Sequence, residues 1–343
     1  MSWKRKCTRS SSVLFPPGPR DLAGVSGVSL SRLQRRKILI LGAGGRLGAR
    51  LTHAYGRDHA VQALGRKEAD LGRPEQLAEL LRAADPEVVI NCAAMTNVDA
   101  CETERELAET VNAVAPGVLG QVCSSLGARL IHVSTDYVFS GENNEPYNEQ
   151  DVPRPLSWYG ETKRRGEENV MESDPRHAVV RVAWVFGPDR DSFIDKALHT
   201  AMRGETVRAV ADKYSSPTYT LDAAAALAGL LADEAAGGIY HLCNRGVCSW
   251  QEWAQAGIDA AIRLGVPIRA PVVEPIKLSD LAVMKARRPI YTVLACSRLE
   301  ALLGQPMRSW PEAVADYVRL LRDEGRITPG AGGSEGVSDR ALR

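Results

Sequence analysis

The chain has 343 residues, 44% apolar and 25% charged, enough to bury one large domain or two intimate ones. No apolar run approaches the ~18 residues of a membrane helix, so no membrane partner is expected. The net charge of +1 hides six Lys/Arg against one acid in residues 1–34; the remainder, 37 basic against 41 acidic residues, argues against nucleic-acid binding.

Seven cysteines (7, 92, 101, 123, 243, 248, 296) are odd in number and include no Cys-x-x-Cys. They read as reduced core residues of a cytoplasmic protein rather than a disulfide frame or zinc site, and no metal is predicted. Residues 1–34, rich in Ser, Pro, Gly and Arg without periodicity, are expected to be a disordered extension. They lack the apolar core of a secretory signal; an organelle leader and an over-long start both fit them.

Order begins with the apolar strand Lys37–Leu41, followed by Gly42-Ala43-Gly44-Gly45-Arg46-Leu47-Gly48 and an amphipathic helix to about Tyr55. Strand, glycine turn and helix form the context of a dinucleotide site: absent side chains admit a pyrophosphate, and the helix amino-terminus supplies N–H donors. The next strand, about His59–Leu64, ends in Gly65-Arg66-Lys67 where an NAD site would carry an acid. Two cations suit the 2′-phosphate of NADPH and favour that cofactor; a solvated turn with ordinary surface charges is the rival reading. Asp70-Leu71 precedes Pro74, which opens a helix. The strand Glu87–Cys92 leads into Ala93-Ala94-Met95-Thr96-Asn97-Val98, small residues at a strand end that let a cofactor pass. Helices are expected over Thr103–Glu109 and Val111–Leu126, with Asn112 inside the second.

Leu130–Val133 reads as a buried parallel strand ending in Ser134-Thr135-Asp136, at the edge where open α/β sheets bind ligands. After a polar loop comes Tyr159-Gly160-Glu161-Thr162-Lys163; on a helix, Tyr159 and Lys163 lie one turn apart on one face. A phenol titrates at about pH 10, and a nearby ammonium favours its ionised form. Thr135 could then hold a substrate oxygen while Tyr159 moves its proton. Ala178–Val185 is a further strand, Asp191–Arg203 a helix, and Ser249/Glu252, Ser297/Glu300 and Ser309/Glu312 read as capping boxes. Strand–helix alternation to about residue 185 predicts a doubly wound parallel sheet, with a smaller C-terminal part closing over its carboxyl edge.

From about Lys37 to Arg322 the chain resembles the extended short-chain dehydrogenase/reductases and, among them, the dTDP-4-dehydrorhamnose reductase family. Gly42–Gly48, Val89–Glu102, Asn112, Ser134–Phe139, Pro155–Glu167, Arg181–Gly187, Ser216–Thr218 and Arg288–Tyr291 carry the match. The resemblance implies an α/β, Rossmann-type cofactor domain over 35–185, a smaller α/β substrate domain over 186–324 and a disordered tail from 325. It implies hydride transfer from NADPH, with NADH accepted as a second donor, to C4 of a nucleotide-linked 4-keto-6-deoxy sugar. Tyr159 would protonate the alkoxide, Thr135 bond the keto oxygen, and Lys163 hold the nicotinamide ribose. Gly42, Gly45, Arg46, Leu47, Gly48, Arg66, Asp70, Leu71, Ala93 and Ala94 would line the cofactor. Thr96, Val98 and Trp184 would line the sugar site; Arg288, Ser216 and Thr218 would face the diphosphate. The family also implies a monomer or homodimer. Alternatives are a reductase of another 4-ketodeoxysugar nucleotide, such as a talose precursor, an epimerase, or a non-catalytic subunit like the regulatory partner of a methionine adenosyltransferase.

Overall fold

The computed structural model describes residues 35–281 and 284–328; the predicted extension 1–34 and residues 329–343 of the predicted tail lie outside them. In chain order the elements are β1 (Lys37–Leu41), α1 (Arg46–Tyr55), β2 (Ala60–Leu64), α2 (Pro74–Ala84), β3 (Val88–Asn91), α3 (Val98–Thr103) and α4 (Arg105–Glu109). A π turn (Thr110–Val114) leads into α5 (Ala115–Leu126), then β4 (Arg129–Thr135), α6 (Trp158–Ser173) and β5 (Ala178–Val182). There follow β6 (Val185–Phe186), α7 (Phe193–Arg203), β7 (Val207–Val210), β8 (Tyr214–Ser215), β9 (Thr218–Tyr219), α8 (Thr220–Ala232) and β10 (Gly238–His241). The described chain closes with β11 (Cys248–Ser249), α9 (Trp250–Arg263), β12 (Val273–Ile276), α10 (Ser297–Leu303) and α11 (Trp310–Asp323).

Six parallel strands form the main sheet in the order β10-β5-β4-β3-β1-β2. Its four inner strands, β5, β4, β3 and β1, are buried almost throughout, as parallel strands under two helix layers must be, while the edge strand β2 is partly exposed. In β1, Ile38 and Ile40 pack with Leu51 of α1 and Leu227 of α8, while Leu39 and Leu41 pack with Leu77 of α2 and Leu119 of α5. The strand order reverses at the β1/β3 boundary, which opens a crevice at the carboxyl edge there. The doubly wound parallel sheet read from the sequence is the one that forms. Outside it, the small pairs β6–β9, β7–β12 and β8–β11 surround a second core built on Ile194, Trp253 and Tyr317.

Local departures have physical causes. The strand expected to Val185 stops at Val182, because Trp184 takes a left-handed φ of +42° that breaks the ladder. Ser249 and Ser309 form their capping boxes. Ser297 does not: α10 starts one residue earlier than a box requires, with Cys296 at its cap and Glu300 accepting the Met307 N–H at 2.9 Å. The expected tail also begins too early. Ile327 is buried and Arg326 pairs with Asp191 and Asp195 at 2.9 and 3.2 Å, which fastens residues 325–328 to the body.

Candidate active site

β1 runs directly into Gly42, whose φ of +76° is open to glycine alone at little cost; a Cβ there would lie 2.6 Å from the backbone N of Ala93. The turns after β1 and β3 therefore touch at the point where the strand order reverses. At Gly48 a Cβ would sit 2.3 Å from the Gly42 carbonyl oxygen, so α1 packs straight onto the turn. Gly45 caps α1 with no side-chain hydrogen bond, and no acid occupies the first turn, so the chain leaves the positive end of the helix dipole to a ligand. A Cβ at Gly44 would meet nothing within 4 Å, which marks the open side of the turn. This arrangement fits a dinucleotide pyrophosphate. Arg46 reaches across to the Asp191 carbonyl, with Nε at 3.1 Å, while Leu47 and Leu71 are core residues. Beyond β2, Arg66 is exposed with its Nε 3.7 Å from Asp70, whose other bond accepts the Gly72 N–H at 3.0 Å. Ala93 and Ala94, half-buried, continue β3 past its edge.

Ser157 starts α6 by accepting the Gly160 N–H at 3.2 Å, which puts Tyr159 in the first turn and Lys163 one turn on. Both are buried, as is Thr135 at the end of β4. Thr135 Oγ1 donates to Asp136 Oδ1 at 3.1 Å, accepts the Tyr137 N–H at 3.2 Å and lies close enough to the Tyr159 phenol to act on its proton. Burial pushes that phenol above its ordinary range, opposed by the Thr135 hydroxyl and reinforced by Asp136 and Cys101. Tyr159 is thus a protonated acid at neutral pH.

Lys163 lies where the sequence spacing puts it, one turn beyond Tyr159, and its nitrogen is held from β4. Nζ donates to the Val133 carbonyl at 2.8 Å and sits 3.1 Å from His132 Nε2. Burial carries its ammonium down from 10.5 to about 8, against the pull of Glu167 and Cys92. Burial, not the expected cation at Lys163, is the largest influence on the Tyr159 phenol.

Around the triad, Val98 packs with Met95, Tyr137 and Trp158 against Tyr159, and Thr96 is exposed just ahead of it. The π turn aims Asn112 inward: Oδ1 accepts the Met95 N–H at 2.9 Å, and Nδ2 donates to Met95 O at 3.1 Å and Thr162 Oγ1 at 3.3 Å. Asn112 so pins the loop after β3 to α6. Trp184 stacks on Trp253 with ring centres 5.6 Å apart, its Nε1 buried without a partner. Ser216 Oγ donates to Gly246 O at 2.7 Å and Thr218 Oγ1 to Leu242 O at 3.2 Å, both buried, so these hydroxyls shape their loop. Arg288 Nη2 bonds Asp99 Oδ2 at 3.0 Å, while Nη1 is buried with no protein partner.

Sequence reasoning assigned no role to several residues now at the centre. Asp136 accepts from Thr135, from Ser215 at 3.2 Å and from Thr292, and so ties the end of β4 to two later loops. Lys213, fully buried, bonds the Pro289 carbonyl and lies over the Tyr137 ring at 5.0 Å. Asn91 and His132, both fully buried, stand beside Lys163. The available signal was a polar residue inside an otherwise apolar strand.

The family described as the RmlD substrate binding domain matches residues 36–322. A dTDP-4-dehydrorhamnose reductase of Burkholderia thailandensis is 37% identical over 83% of this chain and 99% of its own. One from Mycolicibacterium smegmatis is 38% identical over 83% of this chain and 86% of its own. The crystal structure of dTDP-4-dehydrorhamnose reductase from Bacillus anthracis in complex with NADP superposes with a TM-score of 0.77 at 29% identity, covering 84% of this chain and 100% of that one. Among the described residues no helix is long and apolar enough to cross a membrane. With the glycine turn, the protonated Tyr159 and this match along nearly all of the described residues, the chain belongs to the RmlD family, that of the dTDP-4-dehydrorhamnose reductases.

Proposed function

We propose that the protein reduces the C4 keto group of a nucleotide-linked 4-keto-6-deoxy sugar, turning dTDP-4-dehydro-L-rhamnose into dTDP-L-rhamnose. The observation that carries this reading is a buried phenol, Tyr159, kept protonated close to the Thr135 hydroxyl at the carboxyl edge of the sheet. Reduction of a ketone needs an acid at the carbonyl oxygen, and a phenol that keeps its proton until charge develops is one. NADPH, when bound, supplies the hydride; Gly42, Gly44, Gly45 and Gly48 give its pyrophosphate a close backbone approach and Arg66 a cation near its ribose. Thr135 orients the phenol, itself held by Asp136. Val98 and Trp184 offer apolar surface for the sugar, and Arg288 Nη1 a buried donor for the diphosphate.

The same reading has the protein acting on this small molecule in the cytoplasm, as a monomer or homodimer and without nucleic acid. The acidic folded body supports the last point, and the six described cysteines, all free, suit a reducing compartment. The relatives favour the rhamnose reading over the regulatory one.

The test is loss of NADPH absorbance, then of NADH, with dTDP-4-dehydro-L-rhamnose and identification of the product by NMR. The expected product is dTDP-L-rhamnose, formed faster with NADPH. The C4 epimer would move the enzyme to a talose precursor, and no oxidation of either cofactor would sink the reductase reading for this sugar.

A further inference from the structure

Asn91 and His132 are directly opposite each other on the paired strands β3 and β4, and both are fully buried. Each polar atom in this group takes its role from its neighbours. The Ala93 N–H can only donate, so the Asn91 oxygen 3.0 Å from it is the acceptor, and Asn91 Nδ2 is the atom 3.1 Å from His132 Nδ1. The amide NH2 has no lone pair to offer, so Nδ1 accepts. A neutral imidazole then carries its proton on Nε2, 3.1 Å from Lys163 Nζ. Burial, with Lys163 close by, holds the His132 pKa well below its ordinary value, which rules out the imidazolium. The Nε2–H needs an acceptor. An ammonium has none, whereas an amine has one lone pair and can still donate to the Val133 carbonyl.

We infer that Asn91 and His132 are positioning residues: the hydrogen-bond chain they form ends on a lone pair of Lys163 and favours its neutral amine over the ammonium. In the ammonium form one member of the chain faces a donor with a donor; in the amine form every member is satisfied. Two other titratable groups face Lys163. Glu167 pulls toward the ammonium, but its carboxylate is held by Arg181 at 2.6 Å; Cys92, raised to about 12 by burial, stays a thiol. Burial of Nζ acts in the same direction as the chain.

The consequence for turnover rests on the reductase reading. An ordinary lysine, at about 10.5, holds its proton too firmly to be a reservoir at neutral pH. A lysine drawn toward neutrality can pass a proton on. When Tyr159 has given its proton to the alkoxide, the proton on Nζ can restore the phenol, and the nitrogen lone pair left behind is taken up by His132 Nε2–H. The charge of the phenolate and that of the ammonium cancel in that transfer.

The tautomer of His132 and the titration of Lys163 are read without substrate, by 15N NMR of the imidazole and 13C NMR of the lysine side chain, in the whole purified protein. The Lys163→Met protein, missing one lysine signal, assigns it. The expected result is the Nε2–H tautomer at pH 9 and a Lys163 midpoint about two or more units below the ordinary ~10.5. Asn91→Asp gives Nδ1–H an acceptor, reverses the chain and should raise the midpoint by about one unit or more; Asn91→Leu, which adds no charge, should raise it too. An Nδ1–H tautomer in the unmodified protein, or a midpoint unmoved in Asn91→Leu, would overturn the inference. If neither variant folds, the tautomer of the unmodified protein decides alone. These readouts do not depend on the sugar, so failure of the reductase reading would leave them intact; if both hold, the alkaline limb of kcat moves with the Lys163 midpoint while KM stays.

Discussion

A phenol buried at the end of β4 has nowhere to send a negative charge, so Tyr159 keeps its proton until a substrate oxygen asks for it. Tyr159→Phe removes that proton and little else, since the ring keeps its edge-on packing against Tyr137 at 5.7 Å. Its kcat should fall by about 10²–10⁴-fold, the usual weight of a general acid, while the affinity for NADPH, read by fluorescence titration, stays within about twofold. Full activity in this variant would remove the proposed donor. The pair Tyr159/Lys163 was legible in the sequence because helical spacing fixes which residues share a face. Their protonation states were not, because they depend on Asn91, His132 and Thr135, which arrive from two other strands. Asp136 was visible as part of the motif, but its duty depends on Ser215 and Thr292, which only the folded chain brings near.

At the scale of elements, the strand–glycine turn–helix unit could be recognised from the chain alone, but the separate tasks of its glycines could not. Gly48 is required by the packing of α1 on the turn, where any Cβ would press on the Gly42 carbonyl. Gly44 is required by nothing in the protein, because a Cβ there meets open space. The two substitutions should therefore separate. Gly48→Ala should lower the melting temperature and weaken NADPH binding together, because α1 must back away from β1. Gly44→Ala should leave the melting temperature within about 1 °C while weakening NADPH by about tenfold, ~1.4 kcal/mol, since its methyl protrudes where the pyrophosphate approaches. Equal affinity in Gly44→Ala would place the phosphates elsewhere on the turn. Capping boxes show the same limit of sequence: Ser249 and Ser309 start their helices as their spacing predicts, whereas Ser297 has that spacing one residue inside α10. The box that does start α7, Ser192 with Asp195, passed unnoticed because Asp stands where Glu is usual.

Across the whole molecule, alternation revealed the sheet as far as β5, and the later chain was harder because it divides its service. α8 and β10 return to the main sheet, while α7, α9 and α11 build their own core, and short two-residue strands leave no periodic trace. The titratable groups sealed in these cores set how stability responds to pH. Below about pH 6.5 the unfolded chain binds protons on His132, His177 and His241, whereas burial keeps all three neutral in the fold, His241 down to about 3. The unfolded state then binds more protons, so stability falls as pH falls, by up to about 1.4 kcal/mol per pH unit for each histidine. Above about pH 9 the sign reverses. The unfolded chain releases protons that the fold retains on Cys92, Cys101 and Cys123, raised by burial to about 12, 11 and 12, with Cys248 and Cys296 raised in the same sense. Lys163 and Lys213, both drawn to about 8, oppose this, because from there to 10.5 the unfolded chain holds protons the fold has released. Five thiols outweigh two ammonium groups, so urea midpoints taken in reductant should peak between about pH 7 and 9 and fall on both sides. A midpoint still rising at pH 10 would mean that the lysines win and that the thiols are open to water in solution. A flat acid limb would mean the same for the histidines, His132 among them.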